Sequence, residues 1–489
     1  MNRIQTVICG LLGFFVTWIL VRLILRRVIW FGVWGSQRQF HQTHTTPVPR
    51  IGGLALAAAF AGVSAVVLLF LRPDTYQDHT QLAIVLCALA MFGVGFADDL
   101  QPLSAKLKLL GQMVIALAAV SQGISIESIK NPFTGVSYPL GFLIYPVSIF
   151  WIVAVTNLIN LADGLDGLAG GIGFMVMCLL AYVGMRGDVS FNVLMSMGMT
   201  GALLGFLYYN FPPAKIYMGD GGAYMLGFLI SALSIQGSKK GLATMALLAP
   251  VFALAVPIVD VALAIMRRGV RGLPIFRPDR KHIHHRLAQL GLSPLKAVLI
   301  LYGLSLVFLS MGFLAFWTEG KMLPVLIASG ALVVIVGIRS LGWIHEMMSV
   351  RHLMGDSGKL RRNVRYALAL CEWFDLSAER YGADSEFWDD FVFCLRKLGF
   401  SRVVVRQGGT ERVWQGEERG VADLIDRHEV NFSGQTFSLE FHGVNSVLES
   451  KSFFLLTELM AEAWLRAGRR WNQTHAKPLA LAEVRQTGN

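Results

Sequence analysis

The sequence predicts an all-α polytopic membrane protein of about eleven transmembrane helices, with a small C-terminal cytoplasmic α+β domain. Three observations lead there. Hydrophobic residues make up 54% of the chain and charged residues 15%, with a mean hydropathy of +0.54, which is membrane-protein composition. Apolar stretches long enough to cross a bilayer recur through the first two thirds of the chain. After Trp343 that pattern stops and ordinary soluble composition takes over.

The stretches lie at about 4–25, 51–71, 81–97, 108–125, 139–157, 168–184, 190–209, 221–236, 241–265, 296–317 and 322–341. The first is too long for a signal-peptide core and lacks a small-residue cleavage site, so it is read as a retained helix. Charge sets the orientation. Residues 1–341 hold 24 Lys+Arg against 12 Asp+Glu, whereas residues 342–489 hold 19 against 20. With the N-terminus outside, the inside loops up to the tenth helix carry fourteen basic residues and the outside loops six. That bias predicts N-out, C-in in a bacterial inner membrane. The excess also suits membrane lipids and phosphate, and no basic, aromatic-interleaved soluble face offers itself to nucleic acid. Cys9, Cys87, Cys178, Cys371 and Cys394 have no paired spacing, which argues against a disulfide or metal framework.

Residues 1–341 thus form the expected membrane domain. Residues 350–470 read as soluble, with helices at 359–376, 385–398 and 451–467 and strands Arg402–Arg406, Arg412–Trp414 and Thr436–Phe441. No catalytic motif occurs there, so the domain is read as regulatory or docking, with a structural extension as the alternative. Residues 472–489 read as a polar, disordered tail.

The chemistry concentrates in Asn157–Gly171, reading NLINLADGLDGLAGG, at the end of an apolar run. Polar clusters at the end of a spanning segment are functional candidates. Asn157, Asn160, Asp163 and Asp166 recur every three residues and would fan halfway round an ideal helix. The two Asp-Gly pairs suggest that the helix stops near Asp163 and a glycine loop turns Asp166 back. Asp98-Asp99 end the third apolar run; adjacent carboxylates resist ionising together unless a cation is near, and Lys106 and Lys108 follow after a short loop. Asp220 sits among Gly219, Gly221 and Gly222, either as a ligand-facing acid or as the N-cap of the helix at 221–236. Lys215 precedes it. The cationic loop MRRGVRGLPIFRPDRKHIHHRLAQLG, with Arg268, His282, His284 and His285, suits a diphosphate; zinc would need further ligands that the loop lacks. Arg50-Ile51-Gly52-Gly53 opens the second helix, and Asp260 is an intramembrane acid near the same side. The predicted orientation puts the acids and the histidines all on the cytoplasmic face.

In this order, Arg50-Ile51-Gly52-Gly53, Asp98-Asp99 with Lys106/Lys108, Asn157-x-x-Asn160-x-x-Asp163-Gly-x-Asp166-Gly, Pro212-Pro213-Ala214-Lys215 leading to Gly219-Asp220, and His282-Ile283-His284-His285 resemble the polyprenyl-phosphate N-acetylhexosamine-1-phosphate transferases. That family includes the phospho-MurNAc-pentapeptide translocase. The resemblance covers residues 38–290 by motif and 1–341 by topology. It implies Mg²⁺-dependent transfer, with Mn²⁺ as a substitute, of a sugar-1-phosphate from a UDP-N-acetylhexosamine to undecaprenyl phosphate, with release of UMP. By motif position it implies Asp220 as the metal ligand and Asp98 and Asp99 as the acidic pair at the acceptor phosphate. Asn160, Asp163 and Asp166 fall at the nucleotide-diphosphate site and the histidine loop against the sugar; Arg50, Lys106, Lys108, Asn157, Gly219 and Arg268 are read as substrate-binding, as is Lys215, which equally satisfies the positive-inside bias. The HIHH form resembles the branch that primes O-antigen, teichoic acid or exopolysaccharide with GlcNAc-1-phosphate. The domain after residue 350 departs from the family's short tails, and a homodimer stays open. Two rival classes are a secondary transporter, which predicts acids at the bilayer midplane and inverted repeats, and a membrane sensor, which leaves the acidic motifs unexplained.

Overall fold

The computed structural model describes residues 3–31, 48–71, 78–131, 136–238, 247, 250–271, 283, 287, 290–318, 320–340, 362–408, 410–416, 423–432, 435–445, 448, 450–475 and 479. The chain divides into two compact units, Met1–Ile265 with Pro278–Ile344, and Met266–Arg277 with His345–Asn489.

Helices occupy all eleven predicted apolar stretches in whole or in part. They are α1 (Arg3–Phe31), α2 (Gly52–Val66, continued by a π-helical turn Val67–Leu71), α3 (Asp78–Leu100), α4 (Ala105–Ser121), α5 (Ile144–Ala162) and α6 (Leu168–Arg186). There follow α7 (Ser190–Asn210), α8 (Gly219–Ser238), α9 (Ala255–Arg271), α10 (Pro294–Trp317) and α11 (Leu323–Ser340). Among the described residues, seven helices are long and apolar enough to cross a membrane: α1, α2, α3, α5, α6, α7 and α10. Helices α9 and α11 carry shorter apolar stretches, Ala255–Met266 and Leu323–Gly337. Between α4 and α5 lies a hairpin that the sequence pattern missed, β1 (Ser128–Lys130) paired antiparallel with β2 (Ser137–Pro139). Three-residue strands are too short to show a period of two.

Helix α8 is the axis of this unit. It packs against α2, α3, α5 and α6, and every residue from Gly221 to Ser238 is buried. Lipid tails give little hydrophobic drive for helix association, so such contacts depend on close fit. The α3–α8 crossing shows it: a Cβ at Gly95 would lie 2.4 Å from the Asp220 carbonyl oxygen.

The second unit holds a four-stranded antiparallel sheet of order β4-β3-β6-β5. Its strands are β3 (Arg402–Gln407), β4 (Thr410–Gln415), β5 (Leu424–Phe432) and β6 (Gln435–Gly443). Helices span residues 362–377 (α12), Asp384–Leu398 (α13) and Ser450–Thr474 (α14). Phe374, Phe387, Phe391, Phe437, Phe441, Phe453 and Trp464 are fully buried, each worth about 1.5–3 kcal/mol relative to exposure. Strand β5 escaped the sequence reading because Asp426, Arg427, His428 and Glu429 break its apolar alternation. Helix α14 continues to Thr474 and Leu479 is buried, with its N–H donating to Asn472 Oδ1 at 2.9 Å. Structure therefore extends into the segment read as a disordered tail; 476–478 and 480–489 lie outside the described residues.

Candidate active site

The site is built where the C-terminal ends of α3 and α5 meet the N-terminal ends of α2, α4 and α8. Helix α5 runs through Asn157 and Asn160 to Ala162, with Asp163 as its C-cap, and α6 starts after Gly167 (φ +79°). The chain thus turns back over residues 163–167, as the Asp-Gly pairs predict. Asn160 Nδ2 donates to Asp220 Oδ1 at 3.0 Å. Lys108 Nζ reaches Asp220 Oδ2 at 3.4 Å and also ion-pairs with Asp98 Oδ2. Asp98 Oδ1 accepts the Leu103 N–H at 2.7 Å, which fixes the short α3–α4 turn, and Ser104 caps α4 by accepting the Leu107 N–H at 3.3 Å. Four elements therefore converge on two carboxylates.

Asp99 meets the start of α8. Its Oδ1 accepts the Asp220 N–H at 2.9 Å and its Oδ2 accepts the Gly221 N–H at 3.0 Å. A helix leaves its first four N–H groups without intrahelical partners, and a carboxylate there also meets the positive end of the helix dipole. Asp99 is the cap of α8, supplied in space by α3. Asp220 lies within the first turn of α8, so it is not the N-cap. Gly219 takes φ +74°, and a Cβ there would lie 2.6 Å from both the Arg50 carbonyl oxygen and Asp99 Oδ2. The segment before α2 runs alongside: Tyr217 N–H donates to Pro49 O at 2.9 Å, Gly52 N–H to Tyr217 O at 2.9 Å and Gly53 N–H to Met218 O at 2.8 Å.

Of the remaining expected residues, Asn157 points elsewhere. Its Nδ2 donates to Gln112 Oε1 at 2.7 Å and to Val153 O at 2.8 Å, so it ties α5 to α4. Asp166 Oδ2 accepts the Ala214 N–H at 2.9 Å, bridging the α5–α6 and α7–α8 turns. Burial, with the charges of Asp220 and Asp99, holds the Asp163 carboxyl well above the usual range. Burial, with the Asp166 charge, pushes the nearby Tyr217 hydroxyl up to about 12. Lys106 and Lys215 are exposed. Arg268 lies on α9 beyond Ile265, in the second unit. His282, His284 and His285 lie outside the described residues, but Ile283 between them donates its N–H to Asp260 Oδ1 at 3.1 Å.

Three supporting residues carry no sequence signal that singles them out. Asn210, buried at the end of α7, accepts the Gly167 N–H with Oδ1 at 3.0 Å and donates from Nδ2 to Ile216 O at 2.7 Å. Tyr302 on α10 donates to Gly167 O at 2.5 Å. Gln112 is an apolar-face amide of α4. A buried amide looks like any core polar residue until its partners are known; the position of Asn210 at a helix end beside Pro212-Pro213 was the nearest clue.

Fold and site together define a multi-pass membrane protein whose bundle gathers carboxylates, an amide and an ammonium at one end. Residues 81–238, from α3 to the end of α8, match the family described as Glycosyl transferase family 4. The chain is 39% identical over 273 residues to a probable undecaprenyl-phosphate N-acetylglucosaminyl 1-phosphate transferase of Bacillus subtilis, covering 56% of this chain and 75% of that one. It is 35% identical over 290 residues to a decaprenyl-phosphate N-acetylglucosaminephosphotransferase of Mycobacterium leprae, covering 53% and 71%. It is 33% identical over 275 residues to a phospho-N-acetylmuramoyl-pentapeptide-transferase of Enterococcus hirae, covering 53% and 81%. The chain belongs to this family of membrane glycosyl transferases, and it is an enzyme.

Proposed function

We propose that the protein transfers a sugar-1-phosphate, GlcNAc-1-phosphate first among the candidates, from a UDP-N-acetylhexosamine to undecaprenyl phosphate with release of UMP. The step would prime an envelope glycan at the cytoplasmic face of the inner membrane, the side that the loop charge bias favours. The observation that carries the reading is the meeting of Asp98, Lys108, Asn160 and Asp220 at one end of the bundle. The names of the relatives supply the substrate class.

Mg²⁺ suits this donor set. It takes oxygen ligands and is usually held by one or two carboxylates, with substrate phosphates and water completing the octahedron. The Oδ2 atoms of Asp98 and Asp220 share one cationic partner, Lys108. No group of three or more His, Cys, Asp or Glu with metal-holding geometry occurs among the described residues. The protein would therefore supply Asp220, with Asp98 beside it, and the diphosphate the rest. When bound, the ion would supply positive charge to phosphoryl oxygens as the leaving UMP departs.

The residues have distinct tasks in this reading. In-line transfer between phosphates is mostly a matter of positioning and charge stabilisation. Asn160 and Asp99 fix Asp220, one through its side chain and one through its backbone. Lys108 is the ammonium within reach of the incoming phosphates. An acceptor phosphate monoester is already mostly dianionic at neutral pH, with a second pKa of about 6. A general base is thus of small value, and the residual proton passes to one of the Asp98–Asp99 pair, each of which already accepts hydrogen bonds on both oxygens. Attack is direct, without a phospho-enzyme.

The test is UMP release by purified enzyme given undecaprenyl phosphate and a panel of UDP-sugars. Release with a UDP-HexNAc, lost in Asp220→Ala, is expected. Absence of UMP with every UDP-HexNAc overturns the proposal. A covalent aspartyl-phosphate trapped with UDP-sugar alone overturns direct attack.

A further inference from the structure

Lys106 and Lys108 look equivalent in the sequence, two basic residues beside two acids. The fold separates them. Lys106 is exposed, whereas Lys108 is half-buried and places one nitrogen against the Oδ2 atoms of both Asp98 and Asp220. The opposite oxygens are already occupied by protein donors: Asp98 Oδ1 by the Leu103 N–H at 2.7 Å and Asp220 Oδ1 by Asn160 Nδ2 at 3.0 Å. The two carboxylates are thus oriented with one oxygen each turned toward a common point, and the Lys108 ammonium sits at that point.

A divalent cation ligated by these acids needs the same two oxygens. Mg²⁺ demands short oxygen contacts of about 2.0–2.1 Å, so it and an ammonium cannot share the gap. We infer that Lys108 is a placeholder for the divalent cation: its ammonium holds the Asp98–Asp220 pair ready in the metal-free enzyme and is expelled when the cation enters. The flexible four-carbon stem lets the released ammonium turn to a phosphate oxygen of the incoming diphosphate. Cation entry and phosphate capture are then one exchange, in which a lysine leaves two carboxylates and finds a phosphate. The inference rests on the reading of Asp220 and Asp98 as the cation-facing acids.

The test uses the full chain in detergent, stripped of metal by chelation and without substrate. Mn²⁺ is titrated and its unbound fraction followed by electron paramagnetic resonance. Lys108→Met should bind Mn²⁺ on the order of tenfold more tightly, because a unit positive charge within about 4 Å of both ligands is gone. Lys106→Met, an exposed and screened position, should stay within about twofold of the wild type. Equal tightening in both variants reduces the effect to general charge and overturns the placeholder. An unchanged Lys108→Met beside an Asp220→Asn that has lost Mn²⁺ overturns the placeholder while leaving the cation site standing. An Asp220→Asn that binds Mn²⁺ as the wild type does removes the cation site and the placeholder with it. A second measurement needs no variant: amine acetylation of the wild-type chain, read by mass spectrometry. Added Mn²⁺ should speed labelling of Lys108 relative to Lys106, and an unaltered Lys108 rate refutes the exchange.

Discussion

Replacing Asp99 by alanine separates two roles that adjacent acids invite one to merge. In the structure its oxygens accept the first amides of α8, from Asp220 and Gly221, at 2.9 and 3.0 Å. Loss of a side-chain cap costs about 0.5–2 kcal/mol, and hydrogen bonds to a charged group contribute about 1.5–3 kcal/mol each. For two such bonds the local opening of the α8 start should become roughly 2–4 kcal/mol easier. That corresponds to a roughly 30- to 700-fold loss of hydrogen-exchange protection at the amides of Asp220 and Gly221. Turnover should fall with it, since a displacement of about 1 Å at a reacting centre can cost about 100-fold in rate. The assay is peptide-resolved hydrogen exchange of the full chain in detergent, beside UMP release. Asp99→Asn keeps one accepting oxygen and should fall between alanine and the wild type in both readouts. If Asp99→Ala abolishes UMP release while exchange over residues 219–223 and the melting temperature stay as in the wild type, Asp99 acts on the substrate and the capping argument is wrong.

Other expectations follow from the same geometry. Gly95→Ala drives a methyl to within 2.4 Å of the Asp220 carbonyl and should cost about 1–3 kcal/mol in detergent thermal stability, whereas Gly93→Ala, with nothing within 4 Å, should be neutral. Tyr302→Phe removes the hydroxyl that holds Gly167 O; a loss of about 0.5–1.5 kcal/mol and a few-fold slower UMP release are expected, with an unchanged rate speaking against its positioning role. In the second unit, burial raises the Glu440 carboxyl, but hydrogen bonds from Arg406 and His442 and the charge of Arg427 outweigh it and bring it below the ordinary glutamate range. A depressed carboxylate stabilises the fold above its unfolded value, about 4.3, and that contribution disappears as pH falls through the folded value. Hydrogen exchange of β3 and β6 in the full chain should therefore quicken below about pH 4.3, and Glu440→Gln should flatten that dependence.

The helical stretches were legible because a bilayer demands length and apolarity at once, and few other constraints imitate that. The turn after Asp163 was legible from its glycines. What hid was the use of each polar atom. Asn157 and Asn160 are three residues apart on one helix, yet one meets Gln112 of α4 and the other meets Asp220 of α8. The 60° shortfall of a three-residue step is enough to hand neighbouring amides to different helices. Asp98 and Asp99 differ in the same way: consecutive residues on a helix diverge by about 100°, so one faces Lys108 and the other the end of α8. Asn210 and Tyr302 could not be singled out, since each acts on a backbone group of Gly167 that no side-chain pattern marks.

The bond between Asp99 and the first amides of α8 spans 121 residues of chain. At synthesis rates of about 5–20 residues per second, α3 leaves the ribosome some 6–24 s before its partner exists. Through that interval Asp98 and Asp99 sit at the end of an apolar helix without the amides that later receive Asp99. Helix α4 brings Lys108 to Asp98, whereas the amides that Asp99 accepts arrive with α8. The candidate site is therefore complete only once α8 has taken its place against α2, α3, α5 and α6, so its assembly and the closing of the bundle are linked.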